Sequence, residues 1–468
     1  MSHRLASILC VLGLWLGASS SLIAEPQPWP HWRGPHWNGT QVDANPPIHF
    51  SEEKNVRFKV DVPGEGLASP ILYDGVVYLL SAEAADAEAL AESQKVAQER
   101  AEKNEWPPAV KPVAQRFLVL AYDAETGREL WRRVASEHVP HETHYLDASW
   151  ASATPATDGE RLYAHFGSNG TYAYTLDGEL LWQVDLGNME TRNGFGEGTS
   201  PVIWGDSLLI AWDHEGESAL VALDRRTGEE LWRTARPEER SSWATPLVVD
   251  PDGEGDMAPQ IVLPGTARSR GYDAATGKEL WSLCGMTMLS IPTPVARGSV
   301  VYLMSGFRGT VLQAIDLQKA KGALEESPAV VFTHDRHTPY VPSPVLIDDN
   351  LCFLKHTRGG ISCLDAATGA VRYTEKRLPG INNVYGSPVA AAGHIYVFDK
   401  DGSATVIKDG PTFEVVAENQ LDEPVDSTPA IYGDSLYVRS RHHLYRFARD
   451  PAENAGGEAA PAEATSDD

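Results

Sequence analysis

Apolar runs of 4 to 7 residues, rich in Val, Ile, Leu and Tyr and punctuated by Gly, Asp and Asn, recur along almost the whole chain. Runs of that length and content predict antiparallel β-strands. Eight of them open with a Ser-Pro or Thr-Pro pair: Ser69-Pro70, Thr154-Pro155, Ser200-Pro201, Thr245-Pro246, Thr293-Pro294, Ser343-Pro344, Ser387-Pro388 and Thr428-Pro429. Successive prolines lie 85, 46, 45, 48, 50, 44 and 41 residues apart, a spacing that marks a repeat architecture.

One unit, SSWATPLVVDPDGEGDMAPQIVLPGTARSRGYDAATGKELW, reads as four strands. The first follows the proline, the third ends in Tyr272-Asp273, and the fourth carries Trp281. Eight such units predict an all-β fold, an eight-bladed β-propeller of four-stranded antiparallel blades. A closing aromatic keeps register at Trp131, Trp182, Trp232, Trp281, Phe332, Tyr373 and Phe413. An eighth, Phe58, precedes the first Ser-Pro, while the last unit ends at Arg449 without one. The chain thus begins with a fourth strand and ends with three, so residues 55–60 are expected to complete the last blade. Closing the ring in this way removes exposed sheet edges; an open solenoid would not account for the displaced strand.

Between strands three and four recurs Asp/Ala-x-Thr-Gly before an aromatic, as in LAYDAETGRELW and VALDRRTGEELW. Asp and Gly suit a tight turn, and a large aromatic fills the space between neighbouring sheets. The A-x-D-x-x-T-G-x-x-x-W repeat resembles the pyrroloquinoline-quinone (PQQ) type of propeller, shared by quinoprotein alcohol dehydrogenases and BamB-like outer-membrane assembly scaffolds. The resemblance spans roughly residues 29–449, and neither kelch glycine doublets nor a WD40 pattern is present. WPHWRGPHWNG, HETHYLDASWASATP and RNGFGEGTSP also look like secreted PQQ-like propellers of bacteria such as planctomycetes. Fold alone does not carry function.

Residues 1–24 read as a secretory signal, with Arg4, an apolar core Leu5–Leu16 and a small-residue end. That core is shorter than the ~20 residues that span a bilayer. Residues 25–54 form an N-terminal extension, 55–449 the propeller, 82–112 a helical insertion in its first blade, and 450–468 an acidic tail expected to be disordered. A periplasmic or secreted monomer with no membrane span follows. The net charge of −26 argues against nucleic acid as a partner, leaving a protein or glycan partner in the cell envelope.

Cys352 and Cys363 flank KHTRGG on an expected hairpin, which would set them opposite one another as a disulfide candidate. Cys284 reads as a buried apolar filler. Covalent haem and zinc spacings are absent.

Loops from a fourth strand to the next first strand, and from second to third strands, emerge on one face of a propeller, and these are unusually polar. The candidate ligand residues there are His141, His144, Asp147, Trp150, Arg192, Asn193, Glu197, Asp213, His214, Trp243, Arg308, Arg336 and Asn383. His141 and His144 could share a metal; Glu197, Asp213 and Glu215 could bind calcium. Arg192, Arg308, Arg336 and Arg358 could form an anion-binding ring, and Trp150 and Trp243 could stack on a sugar or planar cofactor. The quinoprotein resemblance implies PQQ and calcium, with a vicinal disulfide over the quinone, yet the chain has no Cys-Cys pair and no matching carboxylate trio. The leading expectation is a binding or scaffold propeller without a catalytic set. A quinoprotein-like oxidoreductase and a polysaccharide-acting enzyme using the His/Asp/Glu loops are the alternatives.

Overall fold

The computed structural model describes residues 26–250 and 257–450. The expected leader and the acidic tail from 451 onward lie outside the described residues. Eight four-stranded antiparallel sheets form the blades of a propeller. The first blade comprises Ile71–Tyr73, Val76–Ala84, Gln115–Asp123 and Glu129–His138, and the next six follow in chain order. Blade eight takes its three inner strands from Ala430–Tyr432, Ser435–Arg439 and His443–Ala448, and its outer strand from Val56–Asp61. Lys59 pairs with Tyr445 and Val60 with Leu444 in that closure. Blade four gains a fifth, parallel strand, Gly322–Ala323.

The Thr-Gly turn has a second physical reason. Asp123 Oδ1 accepts the Thr126 N–H and hydroxyl, and Asp365 does the same with Thr368, which shapes the turn. The glycine that follows packs under the aromatic of the preceding blade. A β-carbon on Gly178 would lie 2.8 Å from the Trp131 ring, and one on Gly228 2.8 Å from Trp182. Both glycines also have positive φ, 82° and 78°. Turn and closing aromatic are therefore one interlock between successive blades.

The Ser/Thr of each proline pair builds a second interlock at the axis. Its hydroxyl accepts the backbone N–H of the Ser/Thr one blade earlier: Ser69 N to Thr154 Oγ1 is 3.0 Å, Thr245 N to Thr293 Oγ1 3.1 Å, and Thr293 N to Ser343 Oγ 2.9 Å. The remaining links run the same way, and Thr428 N to Ser69 Oγ at 3.0 Å closes the circle. Proline supplies no N–H, so each such pair offers one donor to one neighbour.

The extension threads the channel. Trp29 pairs with Leu72 of blade one, and Thr40 with Ala390 of blade seven. Arg33, fully buried, donates to the carbonyls of Pro388 (2.9 Å) and Pro344 (2.5 Å). Among the described residues no carboxylate pairs with it, and burial pulls its pKa down to about 9. Gly34 and Gly39 leave room for Trp29 and Arg33, respectively.

The insertion forms an α-helix, Ala87–Glu102, capped by Asp86 accepting from Ala89 N. The short strand Ala109–Val110 after it pairs with His144–Tyr145 of the loop leaving blade one. Cys352 and Cys363 face each other across the hairpin of blade six and are joined as a disulfide, with Cα atoms 4.1 Å apart. Cys284, expected to be buried, is exposed: it follows the outer strand Glu279–Leu283, where the chain leaves the blade. Among the described residues no helix is long and apolar enough to cross a membrane.

Candidate functional site

The eight connections that precede the Ser/Thr-Pro pairs converge on one end of the channel. There they enclose a cavity of about 330 Å³. Every blade contributes the residue two positions before its Ser/Thr: Leu67, Ser152, Gly198, Trp243, Ile291, Val341, Tyr385 and Asp426 all line it. Extended chain alternates its faces, so this residue and the hydroxyl two positions on share the axial side. Ser69, Thr154, Ser200, Ser387 and Thr428 line the same cavity, as does Trp32 of the extension. The Trp32 indole N–H donates to Thr428 Oγ1 at 3.2 Å.

Aromatic rings dominate the wall: Tyr145, Phe195, Trp243, Phe307, Tyr340 and Tyr385. Trp106 joins them from the insertion, its ring 5.5 Å from that of Tyr145 and 5.8 Å from that of Phe195. The Trp243 indole donates to Gly196 O at 2.7 Å, which fixes its plane against the loop between blades two and three. The charged lining is acidic, namely Asp147, Glu197 and Asp426. Lys400 answers two of these, 2.6 Å from Asp147 and 3.6 Å from Asp426, with its ammonium 4.4 Å from the Tyr385 ring centroid. Arg441 meets Asp426 at 3.2 Å. Glu197 takes 2.6 Å hydrogen bonds from Ser168 N and Oγ, and burial pushes its pKa up to about 7.

The loop candidates divide into three groups. Asp147, Glu197 and Trp243 line the cavity. His141 and Trp150 line a smaller pocket beside it, to which Glu197 also belongs; Trp150 donates to Glu142 O at 3.2 Å. The others are structural or face outward. His144 is buried, turned onto the Tyr145 carbonyl (2.8 Å) and edge-on to Trp150, so it does not share a site with His141. Asp213 forms a buried bidentate pair with Arg236, 2.7 and 2.9 Å, and so does not join Glu197 and Glu215 in a calcium site. His214 Nδ1 accepts from Glu190 N and Gly216 N, and Glu215 accepts from Ser241 Oγ. Arg192 and Asn193 are exposed on a short 3-10 turn. Arg308 lies over Phe307, and exposed Arg336 lies near Asp335. Asn383 gives its backbone N–H to Asp399. No arginine lines the cavity, so the expected anion-binding ring does not form there.

Sequence reasoning missed Trp32, Trp106, Phe307, Tyr340, Tyr385, Asp426, Lys400 and Glu142. For Tyr385 and Asp426 the signal was available as the fixed offset from the Ser/Thr-Pro pair.

The family model for the outer membrane protein assembly factor BamB matches residues 169–408. The chain belongs to that family. No curated protein matches it. Among solved structures, BamB from Moraxella catarrhalis is 15% identical with a TM-score of 0.55, covering 84% of this chain and 99% of its own. The computationally designed Ika8 protein is 12% identical at a TM-score of 0.51, covering 72% and 93%. A europium-containing methanol dehydrogenase is 11% identical at 0.49, covering 91% and 98%. These likenesses are to the fold.

PQQ, the cofactor that the resemblance implied, is a planar tricarboxylate. The aromatic wall suits a plane, but the lining sets three carboxylates and no arginine or lysine against its acid groups. The residues present do not fit it.

Proposed function

We propose that this propeller is a binding protein of the cell envelope whose ligand enters the mouth cavity as a ring, a neutral or amino-bearing sugar unit of a glycan. The carrying observation is the lining itself: aromatic faces around an axial cavity, three carboxylates among them, and five hydroxyls of the girdle. Aromatic faces cover the apolar face of a sugar ring, while carboxylates and hydroxyls bond its OH or ammonium groups. Each girdle oxygen already accepts a backbone N–H, so its own O–H is the group left to donate.

The site we propose lies outside the cytoplasm. The leader-like segment 1–24 supports this, and so does the Cys352–Cys363 disulfide, a bond that persists in oxidising compartments. A scaffold that holds a protein partner is the second reading, favoured by the family match. An enzyme acting on polysaccharide would need a second free carboxylate opposite Glu197, and both Asp147 and Asp426 are committed to Lys400.

Calorimetric titration with neutral, amino-bearing and acidic oligosaccharides tests the glycan reading. Neutral or amino-bearing chains should bind, acidic ones should not, and Trp243→Ala should weaken binding at least ~10-fold through lost stacking. Absence of binding by every oligosaccharide would sink that reading. A protein captured from envelope extracts whose retention ignores Trp243→Ala would favour the scaffold.

A further inference from the structure

The geometry points to a divalent transition-metal site built by His141, Glu142 and Glu197 in the wall between the mouth cavity and the pocket beside it. One ligand atom from each lies within 4.8 Å of the other two. His141 and Glu142 come from the loop between blades one and two, and Glu197 from the loop between blades two and three. The site is distinct from the Glu197/Asp213/Glu215 set that the structure pulls apart.

Three features beyond proximity suit a metal. The first is charge. The Glu142 and Glu197 carboxylates lie close enough to repel one another when both are ionised. Among the described residues neither carboxylate makes an ion pair with lysine or arginine, so no fixed cation offsets the two. The second is the orientation of the imidazole. His141 Nε2 lies 2.8 Å from the Met189 carbonyl, and a carbonyl can only accept. Nε2 therefore carries the hydrogen and Nδ1 the lone pair. A metal-binding histidine is commonly held by just such a bond from its other nitrogen. The third is the fixing of the carboxylates. Glu142 accepts from Thr191 N and Oγ1 at 3.0–3.1 Å, and Glu197 from Ser168 N and Oγ. Glu142 Oε1 and both Glu197 oxygens each accept a single hydrogen bond and so keep a further lone pair. Gly167 makes room for Glu197, because a β-carbon there would collide with its Oε2.

One imidazole nitrogen and two carboxylate oxygens suit Zn²⁺ or Mn²⁺ better than Ca²⁺, which prefers an all-oxygen shell. Three protein ligands leave a coordination position open. Glu197, Gly196 and Ser152 face both cavities, so that position is within reach of whatever occupies the mouth. The site stands whether or not the mouth ligand is a glycan.

The test is calorimetric titration of chelator-stripped full-length protein with Zn²⁺, Mn²⁺ and Ca²⁺ separately. One saturable site for Zn²⁺ or Mn²⁺ is expected, with weaker Ca²⁺ binding. Glu197→Gln and His141→Ala should each weaken the affinity at least ~10-fold, and Ser168→Ala, which removes no ligand but takes away the hydroxyl that donates to Glu197 and accepts from Met189 N, by roughly 10- to 100-fold. The metal-free melting point of Ser168→Ala separates a lost ligand site from a lost fold. Saturable binding that all three variants retain at full strength would overturn the site, as would its absence from the parent protein.

Discussion

Replacing one girdle hydroxyl by a methyl tests whether the Ser/Thr-Pro repeat is a hydrogen-bonded ring or only a strand marker. Thr293→Val is the cleanest choice, being almost isosteric, still β-branched and 1% exposed in the parent. It leaves no cavity and removes one acceptor, the partner of the Thr245 N–H at 3.1 Å. Thr245 itself is fully buried, so no water replaces the lost partner. An unmade buried hydrogen bond costs about 1–3 kcal/mol, and the same free energy would lower protection of the Thr245 amide by roughly 5- to 150-fold where it exchanges by local opening. Two measurements follow: urea unfolding for the global loss, and amide exchange for its position. Thr428→Val should lose more, because its hydroxyl accepts from both Ser387 N (3.0 Å) and Trp32 Nε1 (3.2 Å). Stability of Thr293→Val within ~0.5 kcal/mol of the parent, the range of an ordinary surface change, would refute the ring as a stabilising device. So would unchanged exchange at Thr245.

Three other outcomes are expected. Arg33→Met strips the Pro344 and Pro388 carbonyls of their donor; the released cost of a buried cation offsets part of the loss, so a net destabilisation of about 1–3 kcal/mol should appear in urea unfolding, and a gain would mean the plug is not anchored there. Burial pushes His31 down to about 3 and His165 to about 4, so between pH 6.5 and 4 the unfolded chain takes up protons that the folded one refuses. Stability should therefore fall as pH falls through that window, by on the order of 3 kcal/mol per histidine; an equal pH slope in His165→Asn would dismiss the assignment for that residue. Reducing Cys352–Cys363, which closes a short loop of sequence separation 11, should cost ~3 kcal/mol on the chain-entropy model, read as a lower urea midpoint that a Cys352→Ser/Cys363→Ser double variant reproduces without reductant.

The blade count, the closure by an N-terminal strand and the gathering of the loops before the Ser/Thr-Pro pairs at one end of the channel were legible because each rests on local period. Ser/Thr-Pro and Thr-Gly-aromatic recur at matched offsets, and the displaced Phe58 reveals which strand is borrowed. The channel plug was not legible. Arg33 bonds to carbonyls 311 and 355 positions away, and nothing local to WPHWRGPHWNG names those partners. The polar candidates failed for a related reason. Asp213 reads as a loop carboxylate until Arg236 is brought beneath it, and His144 reads as a ligand until the insertion pins its loop by pairing Val110 with it. Charge on a loop reports opportunity, whereas orientation is decided by contacts made elsewhere.

The residue two positions before each Ser/Thr is where constancy and variation meet in this fold. The girdle fixes the Ser/Thr hydroxyl toward the neighbouring blade, and strand alternation then turns the residue two positions earlier toward the axis whatever its type. In this chain the eight positions hold Leu, Ser, Gly, Trp, Ile, Val, Tyr and Asp. Their variety hides them from any search by composition, and it is also what lets one scaffold present many linings. Trp32 lines the same cavity, and Arg33 next to it ties the first strands of blades six and seven together within the channel. Substitutions at the eight axial positions should accordingly change what binds without loosening the ring, while substitutions at the hydroxyls should loosen the ring first.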